Sequence, residues 1–433
     1  MFDLEYIVKN KSKYLEILRL RGVKLDLEFI LDLNDKRIKL QNEYEEIQRR
    51  RNEIAEIMKG GIKDKEKYIE EGKNLKDKSL KVQDKLGEVI SELKDKVYAL
   101  PNFIEDDVPH GKDESDNVVV KNIGEIRKFD FKPLNHWEIG ERLNLIDSIS
   151  AARVSGSRFV YLKGNLVILQ FALLNFMMSI LTNEDKLKEI IAGANIDVPS
   201  KPFIPVLPPV FVKSEVMYEM GRLEPKDERY YISSDDLYLV GSAEHSLGSM
   251  HKNEILELAD LPLRYVGYST SFRREAGSYG KDMKGILRLH HFDKLEMETF
   301  SDSRSARSEQ DLLIAIEEYL VKSLNLPYRV ISICSGDIGV PDARQFDIEV
   351  YFPGEGKYRE THTSDYMSDY QSRRLKIRYR DDSGTLSYVH MNDATSFAAG
   401  RLIAAIMENY QTKDGRVEVP EVLRPYMYGI SLI

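Results

Sequence analysis

Between Ile30 and Met58 the apolar or long residues Leu33, Leu40, Tyr44, Ile47, Ile54 and Met58 recur in alternating steps of three and four, once Arg37 and Arg51 are counted. That spacing is the narrow seam of a coiled coil. A second seam runs through Leu75, Val82, Leu86, Val89, Leu93 and Val97, after a "KGG" break at Lys59–Gly61. Two helices of similar length joined by a glycine-bearing break predict an antiparallel hairpin. It ends in "ALPNFIEDDVP" (Ala99–Pro109), because proline lacks the N–H that a helix interior requires. Outside the seams the arm is charged on all sides, including "RRR" at Arg49–Arg51 and "KDKEK" at Lys63–Lys67. Such a surface suits simple solvation. It equally suits contact with a phosphate backbone, where lysine and arginine displace condensed counterions.

After Pro109 the texture changes to short β-rich runs and glycine turns. "NLVILQFALLNFMMSILTNEDKLKEIIAGA" predicts helix, "EQDLLIAIEEYLVKSLN" an amphipathic helix, and "RQFDIEVYFP" alternates as a strand. "FIPVLPPVFV" is strand-like but contains Pro208–Pro209, which places it at an edge or an interface rather than in a central strand. "SYVHMNDATSFAAGR" leads into the apolar helix "LIAAIMENY". Strands outnumber helices and no βαβ rhythm is visible, so a mostly antiparallel sheet flanked by helices is expected. The predicted class is α+β, with an N-terminal arm domain over 1–109 and a second domain over 110–433.

Composition narrows the picture. A chain of 433 residues has room for one sizeable core plus a separate module. The net charge of −9 argues against indiscriminate attraction to nucleic acid or anionic membrane, so a polyanionic partner has to be read from local segments. Cys334 is the only cysteine. This excludes an intramolecular disulfide framework, makes a zinc–thiolate site unexpected and points to a reducing cytoplasm. The opening "MFDLEYIVKNKSKY" lacks the apolar stretch of a signal peptide. The most apolar run, Leu166–Leu181, carries Gln170 and Asn175 and is shorter than a membrane span. A core helix and no membrane association are expected.

The chemistry concentrates in "SFRREAGSYGKDMKGILRLHHFDKLEME", Ser271–Glu298. Its pattern predicts a β-hairpin: Tyr265–Glu275 outgoing, Ala276–Gly285 as the loop and Ile286–Phe300 returning. Strand side chains alternate faces, so Leu287, Leu289, Leu295 and Met297 point to the core. Arg288, His290, Phe292, Lys294 and Glu296 share the other face, with Arg273 and Glu275 together on the outgoing strand. Fixed charge on a half-buried sheet face is costly without a partner, and a nucleotide would supply one: arginines for phosphate oxygens, Phe292 for stacking, a carboxylate for an ammonium or a metal ion. "GSYGKDMKG" lacks the ending of a Walker A loop and no GxGxxG follows a strand. His245, His251, His290 and His291 form no metal motif, and satisfied polar contacts are expected for them.

"FRREAGSYGKDMKGILRLHHFDKLE" resembles motif 2 of class II aminoacyl-tRNA synthetases, and is most similar to that of seryl-tRNA synthetases. The likeness covers nearly the whole chain. The coiled-coil arm, "RYVGYSTSFRREAGS", "YRETHTSDYMSDYQSRR" and "ATSFAAGRLIAAIMENYQ" come in the family's order and spacing. "FIPVLPPVFV" is similar to motif 1, implying a homodimer through that region, and "AAGR" with its helix to motif 3. The resemblance implies a class II catalytic domain that converts L-serine and ATP to seryl-adenylate and loads serine onto tRNA(Ser), with tRNA(Sec) left open as a second acceptor. Relatives specific for threonine, proline, glycine and histidine typically carry a C-terminal anticodon-binding domain. Only "LIAAIMENYQTKDGRVEVPEVLRPYMYGISLI" follows Arg401, too short for one, so the arm is expected to supply most of the RNA contact.

By the same resemblance, Arg273 matches the arginine on the α-phosphate and Arg401 the one near the γ-phosphate. Glu275 and Phe292 match the adenine-side carboxylate and stacking ring, and Arg288 joins the ATP-binding set. Glu360, with Thr363, falls where the family holds magnesium with ATP. Glu296 corresponds to the carboxylate for the substrate ammonium, Ser242 to a serine-binding threonine, and Thr363 and Thr395 to pocket hydroxyls. Arg273 and Asp393 also belong to the serine-binding set. ATP as substrate, Mg²⁺ and no zinc are implied, since the zinc-dependent seryl variant needs a thiolate ligand. Three departures touch the amino-acid pocket: Ser242 for threonine, "HTSDYM" for "SSCSNC", and Asp393 for asparagine. The last adds a carboxylate near Glu296 and Glu360, which raises its pKa or demands another cation. Two rivals are a paralogue that loads a carrier protein, which would lack the arm, and a non-catalytic subunit, which would lose Arg273, Glu275 or Arg401.

Overall fold

The computed structural model describes residues 4–60, 65–276 and 284–433. The chain divides into two compact units, Met1–Pro101 and Asn102–Ile433. In the first, helices α1 (Leu27–Lys59) and α2 (Lys65–Tyr98) pair along their length. Asp26 caps α1, its carboxylate accepting from the Phe29 N–H at 3.0 Å. The seam is buried at Ile30, Leu33, Ile47 and Ile54 on α1 and at Val82, Leu86, Val89, Leu93 and Val97 on α2, as the periodicity predicts. Leu40, Tyr44 and Leu75 are half-buried. Near the middle the seam turns polar: Gln48 Nε2 donates to the buried Ser79 Oγ at 2.8 Å. Part of the arm's charge is paired across the helices, as in Arg50–Glu71 at 2.8 Å and Lys78–Glu43 at 2.8 Å. The predicted break at Gly61 lies outside the described residues.

The second unit is built on an eight-stranded sheet. Its strands are β1 (Val118–Ile123), β2 (Ile204–Val206), β3 (Leu263–Phe272), β4 (His291–Ser301), β5 (Tyr328–Ser332), β6 (Arg344–Phe352), β7 (Lys357–Ser368) and β8 (His390–Ala398). Their spatial order is β1-β5-β6-β7-β8-β4-β3-β2, and every pair is antiparallel except β2 with β3. One face is covered by α3 (Asn165–Leu181), α4 (Ala306–Ser323) and α5 (Ala399–Asn409). Leu169, Leu173 and Met177 of α3, Leu312 and Ile316 of α4 and Leu402 and Ile406 of α5 join Leu295, Met297 and Phe397 in one core. At roughly 1.5–3 kcal/mol per fully buried large aliphatic side chain, this layer is the main support of the sheet. A buried ion pair pins the hairpin strand to the helices: Arg264 on β3 holds Glu309 on α4 through two bonds of 2.8 and 2.7 Å.

Two local expectations need correction. "FIPVLPPVFV" is not one strand. Ile204–Val206 forms the sheet edge, and Phe211–Lys213 belongs to a separate three-stranded sheet. Pro208 and Pro209 fall between them, where no ladder N–H is needed. The hairpin is also shorter at its tip than predicted: β3 stops at Phe272 and β4 starts at His291. Alternation therefore holds for Leu295 and Met297 against Lys294 and Glu296, but not for 286–290, and Leu287 and Leu289 touch both the core and the cleft on the open face of the sheet. The predicted loop lies largely outside the described residues.

Candidate active site

Register on the open face of the sheet sets the site. Glu298 on β4 pairs with Asp393 on β8, and Asp393 pairs with Asp365 on β7. Directly opposed residues send their side chains to the same face about 5 Å apart, so three carboxyls stand in a row. Two residues along, Glu296 pairs with Thr395, and Thr363 with Asp347 on β6. Beyond this second row a bulge opens between Leu295 and Glu296, and the arginines begin. Arg401 sits in the first turn of α5, where the preceding Gly400 lets the helix approach the hairpin return. A Cβ there would lie 2.2 Å from the Ile286 carbonyl oxygen.

All the predicted site residues except Ser242 line one cavity of about 210 Å³: Arg273, Glu275, Arg288, Phe292, Glu296, Glu360, Thr363, Asp393, Thr395 and Arg401. Ser242 lines an adjoining lobe that shares Arg222, Glu244, Arg273, Glu275, Arg288 and Arg401. There its hydroxyl accepts from the Glu244 N–H at 3.2 Å. At the outer end the Arg273 guanidinium lies 5.5 Å from the Phe292 ring centre and donates to the Gly241 carbonyl at 3.2 Å. Arg288 pairs with Glu275 at 3.1 Å. Arg401 pairs with the Glu360 carboxylate and donates to its carbonyl at 3.2 Å. The cavity thus has a cationic, aromatic end over a carboxyl-rich floor.

Electrostatics differ sharply between the two ends. Burial pushes the Glu360 carboxyl up, but Arg401 and Arg273 outweigh it and hold its pKa below the ordinary value. Its neighbour Asp347 is pushed well above the carboxylate range by burial and by Glu360. Thr363 Oγ1 donates to Asp347 at 2.9 Å and lies 3.4 Å from Glu360. On the floor, burial raises Glu296 even though Lys294 sits 2.7 Å away, and burial plus Asp393 raises Glu298 far more. His245 is held neutral, at about 3, by burial and adjoining arginines, and its Nδ1 accepts from the Gly241 N–H at 3.0 Å. His251 bonds Glu254 and Tyr265, and His290 bonds the Arg273 carbonyl. These three have the satisfied polar contacts expected of them.

Among the described residues, no group of three or more His, Cys, Asp or Glu side chains is placed to cage a metal. Magnesium does not require one: it binds through one or two carboxylates with substrate phosphates and water completing its shell. Glu360, its pKa held down by Arg401 and its side chain two-fifths exposed, fits that donor set.

Sequence reasoning missed Arg222, which enters the cavity from the irregular segment after Gly221. It is bonded to Glu244 and lies 3.4 Å from Asp393, 3.5 Å from Asp342 and 3.9 Å from Asp365. No periodic pattern marks that segment. The only signal was indirect: a carboxyl at 393 that asks for a cation.

Residues 1–104 match the seryl-tRNA synthetase N-terminal domain, and residues 229–410 the tRNA synthetase class II core domain (G, H, P, S and T). A serine–tRNA ligase of Thermodesulfovibrio yellowstonii is 39% identical over 442 aligned positions, covering 100% of both chains. The chain belongs to the seryl-tRNA synthetase family. Its fold agrees with two solved members. The Pyrococcus horikoshii seryl-tRNA synthetase, complexed with ATP, superposes with a TM-score of 0.87 at 34% identity, over 100% of this chain and 99% of that one. The cytoplasmic serine–tRNA ligase of Naegleria fowleri, in complex with AMP, gives 0.77 at 29% identity over 98% and 95%. As a seryl-tRNA synthetase, the chain is a class II aminoacyl-tRNA ligase, and its α+β architecture with a helical arm is that of the family.

Proposed function

We propose that the chain activates L-serine with ATP to seryl-adenylate and then transfers the seryl group to tRNA(Ser), with residues 1–109 contacting tRNA and 110–433 carrying the chemistry. The observation that supports this most is the meeting of Arg273 and Arg401, 128 positions apart in sequence, in one cavity whose other end holds Glu296. Adenine stacks on Phe292, and Arg273 meets the α-phosphate. Arg401 and Arg288 meet the outer phosphates. Glu296, kept in place by Lys294, receives the substrate ammonium, while Thr395, Thr363 and Ser242 offer hydroxyls around it. The serine carboxylate attacks the α-phosphorus in line and pyrophosphate leaves. No covalent help is needed, so these residues act by positioning and by charge stabilisation. Glu360, with Thr363, would hold a magnesium ion arriving with ATP, whose role is to neutralise charge on the phosphate oxygens. A ribose hydroxyl of tRNA then attacks the mixed anhydride, releasing AMP.

A homodimer through the motif 1 region and a cytoplasmic location complete the reading. They are supported by the edge position of Ile204–Val206, with Leu207 and Phe211 exposed beside it, and by a sequence with one buried cysteine. The test is charging of total tRNA with labelled serine, followed by sequencing of the loaded acceptor. Seryl-tRNA(Ser) is expected, and tRNA(Sec) in the same pool shows whether a second acceptor is used. Loading of a carrier protein instead of tRNA would overturn the reading.

A further inference from the structure

The proposed adenylation steps leave Arg222 without a role, yet it is among the most heavily engaged groups of the site. Its side chain is 16% exposed and faces four carboxyls from four separate segments: Glu244, Asp342, Asp365 on β7 and Asp393 on β8. Two of these, Asp365 and Asp393, are neighbours in the carboxyl row that floors the amino-acid end of the cavity. Asp365 is 7% exposed, and its Oδ1 has no hydrogen-bond partner among the described residues. We infer that Arg222 is a specificity-determining residue of the amino-acid pocket: its guanidinium covers the carboxyl row and closes the pocket around a small neutral side chain bearing a hydroxyl. The inference rests on the serine-activating reading and deepens it.

The geometry gives three reasons. A planar guanidinium offers several N–H donors in a fixed fork, so while Nε binds Glu244 its Nη2 still faces Asp393 at 3.4 Å, Asp342 at 3.5 Å and Asp365 at 3.9 Å. Covering these carboxyls removes the attraction that a bare acidic floor would have for a cationic side chain. Burial works against the Arg222 charge, but the carboxyls outweigh it and push its pKa well above the ordinary value, while Glu244 is held at about 2. The fork is therefore permanently charged, and its position is fixed from several sides. The room left beside it sets which amino acid is accepted, through hydrogen bonds that an analogue without the hydroxyl leaves unpaired.

The test is pyrophosphate exchange with serine and with 2,3-diaminopropionate, the cationic isostere, on wild type, Arg222→Gln and the double variant R222Q/D393N. R222Q is expected to raise the serine KM at least tenfold and leave the ATP KM within twofold. Its use of diaminopropionate relative to serine should rise at least tenfold. R222Q/D393N, which removes an acidic group together with the guanidinium, is expected to fold like wild type if R222Q does not, to keep the raised serine KM and to lose the gain in diaminopropionate use. Unchanged serine KM and unchanged preference in R222Q would overturn the inference alone. So would a double variant that folds and keeps the full R222Q gain in diaminopropionate use. A wild-type protein without serine-dependent exchange would overturn the reading beneath it as well.

Discussion

Arg401 offers the sharpest single perturbation. It lies in the first turn of α5, 27% exposed, and pairs with Glu360. Replacing it by Ala removes one fixed donor that the proposed reading aims at the outer phosphates, a loss that typically costs about 10²–10³-fold, or ~3–4 kcal/mol. It also strips Glu360 of its counter-charge beside Asp347, so the cleft becomes more repulsive to a triphosphate. In serine-dependent ATP–pyrophosphate exchange, kcat/KM for ATP should fall about 10²–10³-fold while the serine KM stays within about threefold, because the carboxyl floor and Arg222 are untouched. Arg401→Lys keeps the charge but not the two-pronged fork, and should lose roughly tenfold. A cleft side chain of this exposure supports little of the core, so both variants should melt close to wild type. An Arg401→Ala protein retaining more than a third of its kcat/KM for ATP, or losing activity through serine KM alone, would refute the assignment.

Three further outcomes are expected. Phe292→Leu keeps bulk but removes the stacking plane, so the ATP KM should rise by the equivalent of about 1–3 kcal/mol with the serine KM unchanged; exchange kinetics read both. Glu298, buried and without a hydrogen-bond partner among the described residues, has a folded pKa raised by burial and by Asp393. The folded state then keeps a proton that the unfolded chain has lost, so its stabilising contribution is present below the unfolded pKa and is lost as pH rises through the folded one. Glu298→Gln should accordingly match wild type near pH 4 and be more stable at pH 8, each tenfold difference in proton affinity being worth about 1.4 kcal/mol; parallel denaturation midpoints across a pH series would contradict this. On the proposed reading, Lys73 and Lys76, exposed on α2, contribute to the arm's contact with tRNA phosphates. Changing both to Ser should raise the tRNA KM and reduce the salt slope of binding by about 1 per lost contact, with pyrophosphate exchange unaffected.

The arm was legible because its seam is one-dimensional: Ile47, Ile54, Val82 and Leu86 are buried wherever the 3.5-residue period puts them. Part of the site was legible for a related reason. Lys294 and Glu296 follow strict alternation on β4, opposite Leu295 and Met297. At the hairpin tip that logic failed, since Arg273, Glu275 and 286–290 lie beyond the strand ends and their directions are set by tertiary contacts such as Arg288–Glu275. Arg222 was invisible for a different reason. It comes from an irregular connection, and its role arises only when β7 and β8 bring Asp365 and Asp393 side by side. The departure at 393 from the family pattern was readable as an added negative charge, and the structure supplies both answers that electrostatics allows: a raised carboxyl pKa and a buried cation.

On the proposed reading this cleft joins serine to ATP. Pyrophosphate exchange run separately with each of the twenty standard amino acids tests it most directly. Serine should give by far the largest ATP-dependent signal, with alanine, which lacks the hydroxyl, lower by roughly 10⁴-fold or more. A panel in which serine is silent while another amino acid supports exchange would show that the cleft does not take serine.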